Sequence, residues 1–152
     1  VRALAFAPNG RVLAAADTLG GIRYWTTTEF NELSYVLAAD DAVTALAFSP
    51  DSKWVATASS GYPIKLMRQG IDREDRLLEG APDTVHALAF SPDGHWLIVA
   101  GLNHDLLLWD LRTGTLAERW SGHNHDVLAL AISADGEWLV SGGDDHTVRT
   151  WR

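Results

Sequence analysis

The chain has 152 residues, 47% of them apolar, which is enough for one globular unit with a hydrophobic core. Its 12 Lys and Arg residues against 20 Asp and Glu residues give a net charge of −8, the wrong sign for a phosphate-binding surface, which predicts no nucleic-acid partner. Cysteine is absent, which excludes disulfides and thiolate chemistry and favours a cytoplasmic protein. No apolar run reaches the roughly 18 residues of a membrane span, so no membrane segment is predicted.

A repeat of 42 residues runs through the whole sequence. Its copies begin with VRALAFAPNG at Val1, VTALAFSPDS at Val43, VHALAFSPDG at Val85 and VLALAISADG at Val127. The copies align without a gap, and they share Val, Ala, Leu and Ala at the first, third, fourth and fifth positions. Because such a period is typical of repeat architectures, each copy is predicted to be one structural unit.

Each unit is predicted to contain four short antiparallel strands. In the third copy they are residues 85–90, 96–100, 106–109 and about 116–120. The first of these alternates small and larger apolar residues, as expected of an inner strand buried on both faces. The turn Ser-Pro-Asp-Gly at 91–94 follows it, and in the second copy Ser52 replaces the glycine and must adopt a conformation that suits glycine better.

These units resemble the WD-repeat β-propeller family, whose four-stranded blades repeat every 40 to 45 residues or so. The third copy carries the signature dipeptide Trp109-Asp110, and the fourth matches most fully, from Gly122-His123 to Trp151. The resemblance implies an all-β propeller of antiparallel blades at about 1–38, 43–80, 85–122 and 127–152. Because Arg152 directly follows a third strand, we expect these four blades to be part of a larger ring or array of about seven.

The resemblance also implies a hydrogen-bonded network of a His, a Ser, an Asp and a Trp within one blade. The matching residues in the fourth copy are His123, Ser141, Asp145 and Trp151. At the same register the third copy has Ala81, Val99 and Asn103 beside Trp109, and the second copy has Ala39, Thr57, Gly61 and Met67. The other blades are therefore expected to depend mainly on apolar packing.

Two kinds of chemical site are weighed and disfavoured. A Ser, a His and an Asp in one blade are the components of a hydrolase triad, and His86 and His146 invite the idea of a metal site. No nucleophile-elbow motif accompanies the first, and no carboxylate or cysteine spacing supports the second. We predict no enzyme activity, no metal and no cofactor.

Six of the seven tryptophans recur at the repeat spacing and are predicted to pack in the core: Trp25, Trp54, Trp96, Trp109, Trp138 and Trp151. Trp120 aligns with Leu78 and Val36 and is the candidate for an exposed indole. The charge-rich segment 72–76 is predicted to be a solvated turn.

In the family that the sequence resembles, partners bind the face built from the loops that enter the first strand and those that join the second and third strands. By register the corresponding residues are Arg2, Thr18, Ala42, Thr44, Ser60, Thr84, His86, Leu102, Asp126, Leu128 and Asp144. The set contains no aromatic anchor and no arginine cluster, so it does not specify a ligand.

The leading hypothesis is a non-catalytic scaffold or sensor module that binds proteins or peptides, as one segment of a larger multidomain protein such as a bacterial signalling protein. The alternative is a four-blade chain that dimerises into an eight-bladed ring with a purely structural role. The ring would be completed by further blades of the same chain or by a second copy. A propeller enzyme is less favoured because the first strands supply mostly Val, Ala and Leu.

Overall fold

A computed structural model describes residues 1–69 and 74–152, which form four antiparallel sheets, here called blades 1 to 4. Blade 1 contains β1 (Ala3–Phe6), β2 (Val12–Ala16), β3 (Gly21–Thr26) and β4 (Glu32–Leu37). Blade 2 contains β5 (Val43–Phe48), β6 (Trp54–Ser59), β7 (Ile64–Arg68) and β8 (Asp75–Leu78). Blade 3 contains β9 (Val85–Phe90), β10 (Trp96–Gly101), β11 (Leu106–Asp110) and β12 (Thr115–Trp120). Blade 4 contains β13 (Val127–Ile132), β14 (Leu139–Gly143) and β15 (Val148–Trp151).

The strands of each blade pair in chain order, and the first strands β1, β5, β9 and β13 lie beside one another in succession. The predicted all-β fold of propeller blades is therefore confirmed. Among the described residues, no helix is long and apolar enough to cross a membrane.

An apolar cluster fills each of the three junctions between successive blades. Because side chains alternate along a strand, the middle strands of a blade supply two junctions at once. In β10, Leu97 and Val99 face blade 2, whereas Ile98 and Ala100 face blade 4, and β11 alternates in the same way. These middle strands read as nearly continuous apolar runs because both of their faces are covered.

The inner strand of blade 3 is less buried than its alternation of small and larger residues predicts. Val85 is buried, but the rest of β9 is only half-buried, so burial on both faces is wrong for this strand. The reason is its position at the edge of the sheet, where it pairs with β10 alone. Full burial on both faces belongs instead to β10 and β11.

The tryptophans of the repeat are not all core residues. Trp109 is fully buried, and Trp54 and Trp96 lie half-buried against the clusters on either side of blade 3. Trp138 is 44% exposed, so its predicted place in the core is wrong. The guanidinium of Arg152 lies over its ring, 5.4 Å from the ring centroid.

Trp120, the candidate for an exposed indole, is half-buried against the junction of blades 3 and 4. Its ring stacks on that of Trp151, with centroids 6.0 Å apart and planes inclined by 21°. Its indole N–H donates to Glu118 Oε2 at 2.7 Å. Trp120 is therefore part of the contact between two blades.

Only part of the charge-rich segment 72–76 can be compared with the prediction, because residues 72 and 73 lie outside the described residues. Asp75 and Arg76 belong to β8, so a turn is wrong for these two. Both have partners on their own blade: Asp75 pairs with Lys65 at 2.9 Å, and Arg76 lies over the ring of Trp54 at 5.1 Å.

The turns that join the first and second strands keep one geometry through all four blades. In blade 3 the Ser91 hydroxyl accepts a hydrogen bond from the Trp96 amide at 3.0 Å, and Gly94 has a φ of 72°. Ser52 stands at the glycine position in blade 2 and takes the same left-handed conformation, with a φ of 60°. Its hydroxyl accepts a hydrogen bond from the Asn9 amide of blade 1 at 3.1 Å.

This geometry predicts that Ser52→Gly is more stable than Ser52→Ala. Both variants lose the hydrogen bond from Asn9, but only alanine keeps a Cβ in the left-handed region, which costs about 1 kcal/mol. Urea unfolding of the two variants measures the difference. Equal stability, or a more stable alanine variant, would show that the backbone here is not strained.

Candidate functional site

In blade 4 the structure brings His123, Ser141, Asp145 and Trp151 into one series of hydrogen bonds. The Trp151 indole N–H donates to Ser141 Oγ at 2.8 Å. His123 Nε2 lies 2.7 Å from the same oxygen, and its Nδ1 lies 2.9 Å from Asp145 Oδ2. With its proton on Nδ1, the imidazole donates to Asp145 and accepts from the Ser141 hydroxyl, so every member has a partner.

Two glycines allow these side chains to approach the backbone so closely. A Cβ at Gly143 would lie 2.7 Å from His123 Nδ1, and a Cβ at Gly122 would lie 2.7 Å from Trp151 Cη2. Both distances are shorter than any ordinary carbon contact. The network therefore needs glycine at both positions, at the end of β14 and directly before the histidine.

Two further residues, which the sequence analysis missed, hold the carboxylate of Asp145. The Thr147 hydroxyl donates to Oδ1 at 2.7 Å, and the Asn124 backbone amide donates to Oδ2 at 3.1 Å. Thr147 could have been found from its place two residues after an aspartate, where hydroxyl and amide donors often return to the carboxylate. Asn124 contributes only its backbone, which no side-chain pattern reveals.

The charge of Asp145 is stabilised in this setting. Desolvation by burial raises the pKa of its carboxyl, but hydrogen bonds from the Thr147 hydroxyl, the Asn124 amide and His123 outweigh it. The net effect holds the pKa of Asp145 far below its usual range. The group is therefore an anion in the folded chain at neutral pH.

Ser141, His123 and Asp145 have the connectivity of a hydrolase triad, but the serine is in the wrong place for that reaction. Ser141 is fully buried between its neighbours, and its Oγ already accepts a hydrogen bond from Trp151. An attacking hydroxyl must reach a substrate carbonyl, which requires an open side. The hydrogen bonds of Ser141, His123 and Asp145 suit a structural role, in which they join the strands of one blade.

The residues of the predicted partner-binding face fall on all four blades. Backbone hydrogen bonds hold the two contributing loops of a blade side by side: the Leu102 amide donates to the Thr84 carbonyl at 3.1 Å, and the Asp144 amide to the Asp126 carbonyl at 2.8 Å. In blade 1 the Arg2 amide donates to the Ala16 carbonyl at 2.8 Å. Of the predicted residues, Arg2, Thr18, Leu102, Leu128 and Asp144 are exposed, whereas Ala42, Thr44, Ser60, Thr84, His86 and Asp126 are half-buried.

Side-chain contacts on this face concentrate where blade 3 meets blade 4. Asp126 Oδ1 lies 3.3 Å from His104 Nδ1, and Asp126 Oδ2 lies 3.9 Å from His86 Nε2. His125 adds a ring contact with His104, at 6.2 Å between centroids. We call His86, His104, His125 and Asp126 the histidine cluster. The sequence analysis identified two of its members, His86 and Asp126, because they lie at loop positions that recur in every repeat. It missed His104 and His125, which lie outside those positions.

No metal site is formed around the histidines, within the limits of residues 1–69 and 74–152. There, no group of three or more His, Cys, Asp or Glu residues is arranged to hold an ion. His146, the other histidine considered as a ligand, is exposed and has a left-handed backbone with a φ of 60°. The contacts within the histidine cluster are the two His–Asp pairs and the ring contact described above.

The family model described as "WD domain, G-beta repeat" matches residues 31–62, 74–110 and 114–152, more than two-thirds of the chain. The chain belongs to the WD-repeat family. A comparison with curated proteins gave no match. WD-repeat domains generally mediate protein–protein interaction and scaffolding, and the family is generally non-catalytic.

The family repeat and the blade do not share the same boundaries in this WD-repeat chain. The match at 74–110 covers β8, the outer strand of blade 2, together with β9 to β11 of blade 3. The match at 114–152 likewise joins β12 of blade 3 to the three strands of blade 4. Each sequence repeat thus links two neighbouring blades covalently, which adds to the apolar contact between them.

Loss of the buried histidine is expected to destabilise the chain. His123→Ala leaves the Ser141 hydroxyl without its acceptor in a buried place, which costs about 1–3 kcal/mol. His125→Ala is the matched control: this histidine is exposed, and its loss should change the free energy of unfolding by no more than about 0.5 kcal/mol. Denaturant unfolding of both variants is the measurement, and equal stabilities would contradict a stabilising network.

The contribution of Asp145 should depend on pH. Because its folded pKa is depressed, the stability that it contributes is present above its unfolded pKa, about 4, and is lost as the pH falls toward the folded value. The difference in unfolding free energy between wild type and Asp145→Asn should therefore be largest near neutral pH and shrink below about pH 4. A difference that stays constant from neutral pH to pH 2 or so would refute this.

Proposed function

We propose that this chain is a non-catalytic scaffold or sensor module that binds a protein or peptide through the histidine cluster and the loops around it. The observation that supports it best is the convergence of His86, His104 and Asp126 from two blades on the face that the family uses for partners. A rigid set of sheets underneath presents these side chains at fixed separations.

The surroundings of the histidine cluster suit a protein partner. Leu102 is 40% exposed and Leu128 is 48% exposed, and each lies two residues along the chain from a member of the cluster, His104 and Asp126. Apolar side chains beside groups that both donate and accept hydrogen bonds are typical of the centre of a protein interface. The partner expected here offers an apolar residue together with a polar or charged group that reaches Asp126.

The cellular setting is part of the same proposal. A cytoplasmic location is supported by the absence of cysteine, and the acidic net charge argues against nucleic acid as the partner. By analogy with the family, the chain would serve within a larger multidomain protein, such as one in bacterial signalling. Its partner-binding surface would then recruit the target of that larger protein, or signal to the larger protein that the target is bound.

Completion of the ring is a second candidate role, supported by an exposed face of blade 1. Leu4 and Phe6 of β1 are 63% and 62% exposed, whereas Phe48, at the position of Phe6 in blade 2, is buried against blade 1. An apolar face of this kind fits another blade. Further blades of the same chain would supply it, or a second copy would do so in an eight-bladed ring.

The partner-binding role is tested by capture experiments with matched variants. The triple variant His86→Ala, Asp126→Ala, Asp144→Ala should lose partners that the wild type retains. The control is His95→Ala with Asp93→Ala, another His–Asp pair, 3.2 Å apart, in a turn at the other end of blade 3. Capture of the same proteins by wild type and the triple variant would reject the histidine cluster as the binding surface.

Light scattering after size exclusion distinguishes the two sources of further blades. An eight-bladed ring from two copies predicts a dimer of the 152-residue chain, which Leu4→Asp with Phe6→Asp should convert to a monomer. A wild-type monomer at all concentrations would rule out the second copy.

A further inference from the structure

A groove of about 230 Å³ lies between blades 3 and 4, at the opposite end of the blades from the histidine cluster. Its walls include four indole rings and two charged side chains, those of Trp96, Trp120, Trp138, Trp151, Glu118 and Arg152. The turn residue Gly136 also lines it, and in antiparallel blades such first-to-second-strand turns lie at the other end from the loops that join second and third strands. It is thus separate from the proposed partner-binding face.

The repeat provides a direct comparison, because blades 2 and 3 form a groove at the same register. Trp54 and Leu66 line that groove where Trp96 and Leu108 line this one. In the groove of blades 2 and 3, Arg76 places its guanidinium 5.1 Å from the centroid of the Trp54 ring. The tryptophan at this register therefore has a cation from its own blade.

Trp138 occupies the same register in blade 4, and it too carries a guanidinium, that of Arg152. Trp96 is the exception. The residue that corresponds to Arg76 is Glu118, so a carboxylate stands where blade 2 has a cation. Among the described residues, no arginine or lysine lies over the rings of Trp96, Trp120 or Trp151.

The carboxylate of Glu118 is only partly used by the chain. Its Oε2 accepts the indole N–H of Trp120, and no donor among the described residues reaches its other oxygen. Arg149, on the same face of β15 as Trp151, lies beside Gly122 and does not line the groove. The groove also contains Arg152, but its guanidinium lies over Trp138 and 3.9 Å from Glu137 Oε2. The groove thus offers an available carboxylate oxygen and three further indole rings with no guanidinium over them.

We propose that this groove binds an arginine side chain presented by a partner protein. A guanidinium stacks on an indole ring and forms hydrogen bonds to a carboxylate, so it satisfies both features that the groove offers. The volume suits one side chain better than a cofactor, since small-molecule sites usually occupy about 300–1,000 Å³. The acidic net charge of the chain would attract such a partner. The proposal does not depend on the histidine cluster and survives if that surface binds nothing.

The test is a titration of the 152-residue chain with acetyl-Gly-Arg-Gly-amide, followed by the indole N–H signals of the tryptophans in ¹⁵N NMR spectra. The signals of Trp96 and Trp120 should shift saturably. The same tripeptide with citrulline, which has the shape of arginine without its charge, should bind at least about tenfold more weakly. Equal binding of the two peptides, or no saturable shift of Trp96 and Trp120, would overturn the proposal.

Variants at one position identify the site. Glu118→Arg copies the arrangement of Arg76 and Trp54, so the chain's own guanidinium should occupy the groove and weaken peptide binding about tenfold. Glu79→Arg makes the same change of charge outside the groove and should leave the affinity within about twofold of wild type. If Glu118→Arg fails to fold, Glu118→Gln should still weaken binding about two- to fivefold. Wild-type affinity in the Glu118 variants would place the peptide elsewhere and reject the groove.

Discussion

The rest of this structure depends on the burial of both faces of the middle strands. A blade alone would expose Leu97 and Val99 on one side and Ile98 and Ala100 on the other. Burial of a Leu, Val or Ile side chain contributes about 1.5–3 kcal/mol, so each neighbour that covers an apolar face stabilises the blade. The 42-residue period sets the distance along the chain from one such sheet to the next, and it places every loop in the same relation to its blade.

Blade 4 is stabilised by a network of buried hydrogen bonds in addition to apolar packing against its neighbour. His123, Ser141 and Trp151 occupy positions that in blade 3 are held by Ala81, Val99 and Trp109. Replacing several buried polar partners together by apolar groups can be nearly neutral, whereas removing a single partner leaves a costly unpaired atom. Blade 4 fills these positions with polar side chains that hydrogen-bond to one another, and blade 3 fills the same positions mainly with apolar side chains that pack. Either arrangement leaves no hydroxyl or imidazole of the set without a partner.

The period, the strands and the turns could be predicted from sequence because each depends on local residues that recur. The left-handed Ser52 is one example: only its alignment with glycines in the other copies shows what its backbone must do. Contacts between blades were harder to foresee. The exposure of Trp138 and the pairing of Asp126 with His104 depend on which neighbour lies alongside, and residues of the same type at the same register can have different neighbours.

The two ends of the blades carry different chemistry on the same rigid support, with histidines and a carboxylate at one end and indoles with a carboxylate at the other. Both depend on the packing between blades. Hydrogen exchange of the backbone amides of the 152-residue chain tests that packing most directly, because exchange reports the free energy of local opening. Slowest exchange is predicted in β6, β7, β10 and β11, and faster exchange in β1, where Leu4 and Phe6 are exposed. Equal protection of β1 and β10 would contradict the account.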